Sequence, residues 1–476
     1  MRIKKYFGII STVVILVVSL CACQKETVST TEDIINIRFS FWEPGMGKKL
    51  ERGLQSVVED YEALHPNINI ELEPHPVENY LEWIKVKIAS NDLPEIESCY
   101  SNELEIQYKA GVIADITEAL NSESAYAKGT AWKDTFISDY LIKSNNSYPQ
   151  IISNIPFFGT ELAMFYNKTV YDELGLSEPV TWDEFMHNCE IIKQSNRTPI
   201  VMMTQKKASN SWIIREIGQG LSVKRYLKNK DININGDLTI SGYEENRALL
   251  TGVLNYAEDT QFHEDYKKYV EYLSQYLKYC NSSTELEETV AKMIFLNGEA
   301  VHINTGSWDV KGFIENSQVN FEIGTFKFPQ FTDKDSEYSG YIIDGSAQSL
   351  AVTNSAYNQE GKYEAVIDFL QYLTSKNVYQ KFVDDTIELP VIKDVKRNPL
   401  LDDFVSEGYY ASSMFDDSTI ANEILLGNTP EINSQYFKDF QERKMRAAEK
   451  FAKQNNLSAE DSYYMYEGIK LGVFTE

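Results

Sequence analysis

Residues 155–168 read IPFFGTELAMFYNK, and residues 179–185 read PVTWDEF. The apolar run 162–166 lies between a Pro/Gly-containing loop and the polar pair Asn167-Lys168, which predicts a buried strand entered from a loop. A short helical piece ending at Gly175 comes next, then a proline loop. The next helix opens at Thr181 as N-cap, with Glu184 at the capping-box position. Trp182, inside that helix, reads as a core residue.

Toward the N-terminus, residues 35–42 alternate apolar and polar before Pro44-Gly45, a first strand that carries Trp42 and Glu43 into a loop. Leu50, Leu54, Val57, Val58, Tyr61 and Leu64 recur at helical spacing, and His65-Pro66 stops that helix. A second strand at 68–72, a helix at 77–90 and a third strand at 96–99 come after it; the last delivers Tyr100, Ser101 and Asn102 to a loop. Strands and helices alternating at these lengths imply right-handed parallel crossovers, hence an α/β lobe with helices on both faces. Gly45-Met46-Gly47-Lys48 lacks the spacing and the Ser/Thr of a phosphate-binding loop and reads as a turn.

Toward the C-terminus, Asn210-Ser211-Trp212 precedes a helical run. Residues 231–240, DININGDLTI, contain Asn235-Gly236, a strong hairpin signal; Gly242 stands where a calcium loop needs its bidentate Glu. Thr284-x-x-Glu287 caps a helix to Leu296, and 300–304 forms a short strand reaching Gly306-Ser307-Trp308. Asp333, Asp335 and Glu337 form a solvated acidic turn. Residues 349–353 read as a strand and 362–374 as an amphipathic helix. The last eighty residues look mostly helical, with Tyr436, Phe440, Ala447 and Phe451 on one stripe and Ser458-x-x-Asp461 opening a final helix.

The order of these pieces resembles the extracellular solute-binding proteins of carbohydrate ABC transporters. The resemblance rests on Tyr166-Asn167-Lys168, Pro179-Val180-Thr181-Trp182-Asp183-Glu184-Phe185, Asn297-Gly298-Glu299-Ala300 before Gly306-Ser307-Trp308, Phe328-Pro329, Asp344-Gly345 and Leu389-Pro390-Val391. It implies a two-lobed α/β fold of the periplasmic-binding-protein type II, with a ligand cleft between lobes. Lobe one is expected at 34–156 plus 305–353, and lobe two at 157–304 plus 354–476. It also implies a small-molecule ligand, a carbohydrate before others, ABC permease subunits as partners, and a monomer. A surface enzyme acting on polysaccharide and a sensory or adhesive lipoprotein are the rival readings.

In open α/β sheets, ligands bind beyond the carboxyl ends of the strands. That rule, with the resemblance, nominates Trp42, Glu43, Tyr100, Asn102, Phe158, Trp212, Trp308 and Asp344 as cleft residues. Aromatic faces suit the C–H faces of a sugar, and fixed polar groups suit its hydroxyls.

Composition narrows the function further. The first residues, MRIKK, form a basic n-region, 9–20 is a short apolar h-region, and Leu20-Cys21-Ala22-Cys23 looks like a bacterial lipobox. Residues 1–22 read as a lipoprotein signal, Cys23 as the lipidated residue, and 23–33 as a flexible tether to the outer face of a membrane. Cleavage would remove three cations and no acid, moving the net charge from −26 to −29. Such a chain is a poor partner for nucleic acid. Cys99, Cys189 and Cys280 read as free structural thiols. His65, His75, His187, His263 and His302 are scattered, and no catalytic constellation or metal motif stands out.

Overall fold

The computed structural model describes residues 34–145, 151–203, 212–234, 240, 242–281, 286–331, 344–359, 361–404 and 418–454. The lipobox and tether, the Asn235-Gly236 hairpin, Thr284, the acidic turn at 333–337 and the Ser458 helix lie outside the described residues.

Ten strands are present among them. They are β1 Ile35–Trp42, β2 Ile68–His75, β3 Ile96–Cys99, β4 Glu123–Ser124, β5 Ala127–Ala131, β6 Ile155–Asn167, β7 Thr198–Val201, β8 Ala300–Gly306, β9 Ile323–Phe326 and β10 Asp344–Val352. β4 and β5 form a separate small ribbon. The main sheet runs β2-β1-β3-β10-β6-β8-β7, with β9 also paired to β6. β1 pairs parallel with β2 and β3, as right-handed crossovers through the Lys49–Leu64 and Val77–Ser90 helices require. β10 enters antiparallel between β3 and β6.

β6 is the axis of the molecule. Its first half, from Ile155 to Glu161, pairs with β10; its second half, from Leu162 to Asn167, pairs with β8 and β9. The stretch expected to be a loop before the strand, Ile155 to Gly159, is therefore strand. Pro156, which has no N–H to give, lies where the register with β10 shifts between Gln348 and Ser349, a place where a sheet tolerates proline.

Two bodies of apolar side chains flank this axis. The first joins Ile37, Phe39, Leu54, Tyr61 and Phe157 to Leu350, Phe369, Tyr379 and Phe382. The second joins Met164, Trp182, Phe185, Ile214, Tyr266 and Tyr276 to Phe326, Phe437 and Phe440. The expected lobe boundaries are corrected by this packing. The Lys362–Leu373 and Lys376–Thr386 helices lie on the first core, not the second, because their apolar faces meet the Lys49–Leu64 helix and β1. Conversely Val310 and Phe313 pack with Phe165, Ala291 and Phe295, on the second half.

Local signals read from the sequence hold. Thr181 and Glu184 close a reciprocal capping box, Gly175 ends the Lys168–Leu174 helix in the left-handed region, and Trp182 is fully buried. The C-terminal helix Ser434–Gln454 buries Phe437, Phe440, Ala448 and Ala452, whereas Ala447 is exposed. The expected stripe is thus off by about one residue at three of its four positions. Cys99, Cys189 and Cys280 are free thiols.

Candidate functional site

On the first half, β1 ends at Trp42, whose ring meets that of Tyr100, the residue just after β3, at 5.1 Å and a tilt of 41°. Trp42 is only 6 % exposed and packs with Tyr80, Cys99, Leu104 and Ile113, so most of its surface serves a satellite core. Gln348 from β10 holds this end: its Nε2 donates to the Trp42 carbonyl at 2.8 Å while Ser98 Oγ donates to its Oε1 at 2.5 Å. Tyr100 is 39 % exposed and presents the open face of the pair. Glu43 has a different task. Its two carboxylate oxygens accept the Glu51 amide at 2.6 Å and the Leu50 amide at 3.2 Å, capping the Lys49–Leu64 helix from outside. Burial pushes its carboxyl up, and these backbone bonds pull it back.

On the second half, β8 ends at Gly306, and Trp308 sits in the single 3-10 turn after it. The indole folds back over Gly306, where a Cβ would lie 2.1 Å from the ring. Only glycine permits that path. Trp308 meets Trp212, the first residue of the Trp212–Leu227 helix, at 5.7 Å and 56°, and both rest on Leu162 of β6. Both indoles are partly exposed. Beside them is a small concavity, partly open to solvent, whose lining includes Met203, Trp212, Tyr276, Lys292, Asn304 and Thr305.

Lys292 is buried in this wall between Glu288 at 2.6 Å and Asp309 at 2.8 Å, and Thr305 Oγ1 donates to Asp309 at 2.7 Å. Burial alone would lower the ammonium, but the two carboxylates outweigh it and hold it above its ordinary value. Behind Asn304 sits Glu216, 1 % exposed, which accepts Asn304 Nδ2 at 2.8 Å; burial pushes its carboxyl up to about 8.

The two halves touch through short, specific contacts. Gly45, at φ +71°, lies so close to the Trp308 carbonyl that a Cβ there would sit 2.3 Å from it. Lys49 and Glu388 form an ion pair at 2.6 Å, each side chain 1 % exposed, and burial pushes Glu388 up to about 7 against the pull of Lys49. Gly159 donates to the Leu389 carbonyl at 2.8 Å across the axis strand. The glycine-rich turn after β1 is therefore an interlobe contact rather than an anion cradle.

A family model described as bacterial extracellular solute-binding protein matches residues 47–380. The chain belongs to that family. Among relatives of this solute-binding protein, the multiple sugar-binding protein of Streptococcus mutans is 25% identical over 411 residues, covering 84% of this chain and 86% of the relative. Two solved structures share its two-lobed fold. The solute-binding protein RafE in complex with raffinose aligns with TM-score 0.61 at 19% identity, covering 87% of this chain and 99% of that one. A chitin oligosaccharide binding protein aligns with TM-score 0.63 at 18% identity, covering 87% and 100%.

Of the nominated residues, the fold brings Trp212, which lines the second-half concavity, into ring contact with Trp308, and Trp42 and Tyr100 together on the first half. Phe158 is corrected: it is fully buried against Phe157 at 5.1 Å, inside the first core, with no surface to offer a solute. The side chains of Asn102 and Asp344 lie outside the described residues. Sequence reasoning passed over Asn304, Glu216, Tyr276 and Lys292. Asn304 was signalled by its place at the end of the strand that leads to Gly306; the others sit inside helices whose inward faces read as core.

Proposed function

We propose that this solute-binding protein captures a carbohydrate between its lobes and delivers it to an ABC importer, tethered to the outer membrane face through lipid on Cys23. The observation that carries this reading is the Trp212–Trp308 pair, two half-open indoles beside a concavity with polar walls. Aromatic faces accept the C–H faces of a pyranose, and the polar wall can satisfy its hydroxyls. The kinship to a multiple sugar-binding protein supports the same ligand class. The acidic net charge of −26 suits a neutral ligand better than an anionic one. Tyr100 on the facing lobe would complete the cleft on closure, and a closed form is what a permease would recognise.

A thermal-shift screen over mono- and oligosaccharides, amino acids, peptides and polyamines tests the ligand class, because a ligand that binds only the folded state raises its melting temperature. Stabilisation by amino acids or polyamines and not by any sugar would overturn the carbohydrate assignment. Cys23→Ser should release the protein from the membrane fraction; retention as firm as wild type would remove the lipid anchor.

A further inference from the structure

The wall of the second-half concavity carries polar atoms that the fold leaves unmatched. Asn304 gives its Nδ2 to Glu216 Oε2 at 2.8 Å, with the Ala163 carbonyl and Met164 Sδ each 3.5 Å from the same nitrogen. Three acceptors around one nitrogen fix the amide's orientation, so Oδ1 is the atom left over. It is buried and has no partner among the described residues. Tyr276 lines the same concavity, is fully buried, and its hydroxyl is also unmatched. Glu216 Oε1, directly behind Asn304, is a third such atom. These groups come from β8, the Thr260–Leu277 helix and the Trp212–Leu227 helix. Native interiors leave few buried polar atoms without partners, and two on residues lining one concavity, with a third behind them, point to an occupant.

We infer that Asn304 and Tyr276 form a hydrogen-bonding floor for the ring hydroxyls of a neutral sugar stacked beside Trp212 and Trp308, with Glu216 as the positioning residue that holds Asn304. This rests on the carbohydrate reading above. Asn304 Oδ1 accepts from a sugar hydroxyl, and the Tyr276 hydroxyl donates or accepts as the ligand requires. The groups facing Glu216 are Asn304 from β8 and Tyr276 from the Thr260–Leu277 helix, and no ion pair to it occurs among the described residues. Its burial keeps it protonated at neutral pH, so the floor is uncharged. Lys292, the cation lining the pocket among the described residues, is already neutralised by Glu288 and Asp309, so it does not favour an acidic sugar. A ligand that covers the floor desolvates Glu216 further and so favours its neutral form. By linkage, binding then weakens as pH rises past the carboxyl's own titration.

The test is calorimetric titration of raffinose, xylotetraose and chitotetraose into wild type, Tyr276→Phe, Asn304→Ala and Glu216→Gln at pH 7 and pH 9.5, with a thermal melt of each free protein. For the sugar that binds, Tyr276→Phe should lose roughly fivefold in affinity and Asn304→Ala roughly tenfold or more, with Tyr276→Phe melting no lower than wild type, because an unmatched buried hydroxyl has been removed. Wild type should weaken by about fivefold or more between the two pH values, and Glu216→Gln should keep its neutral-pH affinity without that loss. A sugar that binds wild type, Tyr276→Phe and Asn304→Ala equally overturns the floor while leaving the carbohydrate reading intact. A Tyr276→Phe that melts lower at unchanged affinity assigns the hydroxyl to packing and overturns it too. Failure of every sugar to bind wild type removes the carbohydrate reading and the floor together.

Discussion

The Trp42–Tyr100 pair and the Trp308–Trp212 pair each hang on a tryptophan at or just past the end of a strand, and the fold uses the two tryptophans differently. Trp42 is clamped by Gln348 and sunk among Tyr80, Cys99 and Leu104, and the next residue, Glu43, is consumed in capping a helix. Trp308 rests on Gly306 and Leu162, and both it and its partner indole are partly exposed. The chain segment just past each strand decides the role. After β1 comes a 16-residue helix whose orphan amides need a carboxylate, so the strand end is drawn inward. After β8 comes one tight turn with small residues, so the indole is left at the surface.

Four measurements bear on this contrast. The largest effect concerns a feature both halves share, a carboxyl buried without a cation. Burial pushes Glu97 on the first half up to about 7 and Glu216 on the second up to about 8. An acid whose folded pKa is raised contributes stability that is intact below about 4.5 and lost as pH climbs through the folded value. Buried His302 works oppositely: lowered to about 4, it contributes stability present above 6.5 and lost as pH falls toward 4. With Glu388, which burial also raises to about 7 despite Lys49, three carboxyls against one imidazole give a net loss from pH 5 to pH 8, steepest between 6.5 and about 7 where His302 no longer opposes. The swing should be on the order of a few kcal/mol, read as a falling denaturation midpoint, and Glu97→Gln and Glu216→Gln should each flatten it. A midpoint that rises over that range would contradict the assignment of both carboxyls.

Next, Trp42→Ala should cost about 3–5 kcal/mol of stability, the usual loss for truncating a buried aromatic residue. Trp308→Ala should cost much less stability but weaken sugar binding roughly tenfold, about 1.4 kcal/mol. Chemical denaturation and calorimetry on the two variants side by side decide; equal stability losses would erase the contrast between the pairs. The smallest effect belongs to Glu43→Gln, which keeps an acceptor but removes charge at a helix N-terminus and should cost about 1 kcal/mol with affinity unchanged. A drop in affinity without a drop in stability would return Glu43 to the cleft.

Much of the fold was legible because its signals are local. The 3.6-residue spacing of Leu50, Leu54, Val57 and Tyr61, the His65-Pro66 stop and the Thr181–Glu184 capping box depend on neighbours a few residues away. Amphipathicity says that the Lys362–Leu373 helix buries one face, not which sheet receives it, and its assignment to the wrong lobe stems from that. The same limit applies to Trp42, whose burial is set by Gln348, 306 residues distant. Proline read as a loop marker at Pro156 because its tolerance there comes from a register shift on the partner strand. Of the site, the strand-end rule found Trp42, Tyr100 and Trp308, but it could not rank them, and it could not see Tyr276 or Glu216, whose helices look like ordinary core helices in the sequence.

β6 serves two sheets, and the first lobe is assembled from pieces that lie far apart in the chain. Ser98 bonds Gln348 across 250 residues, and the Tyr379 hydroxyl donates to the Phe157 carbonyl across 222. During synthesis, β1, β2 and β3 therefore emerge long before the strand and helices that cover them. A chain released as far as β8 would hold most of the second core's strands and helices beside a first sheet with an open edge, an arrangement that invites wrong pairing. Neither lobe closes early: the first waits for β10 and the Lys376–Thr386 helix, the second for Phe437 and Phe440 of the Ser434–Gln454 helix, and long-range closure of this kind is slow. In this topology the first strands made stay uncovered until most of the chain has followed them.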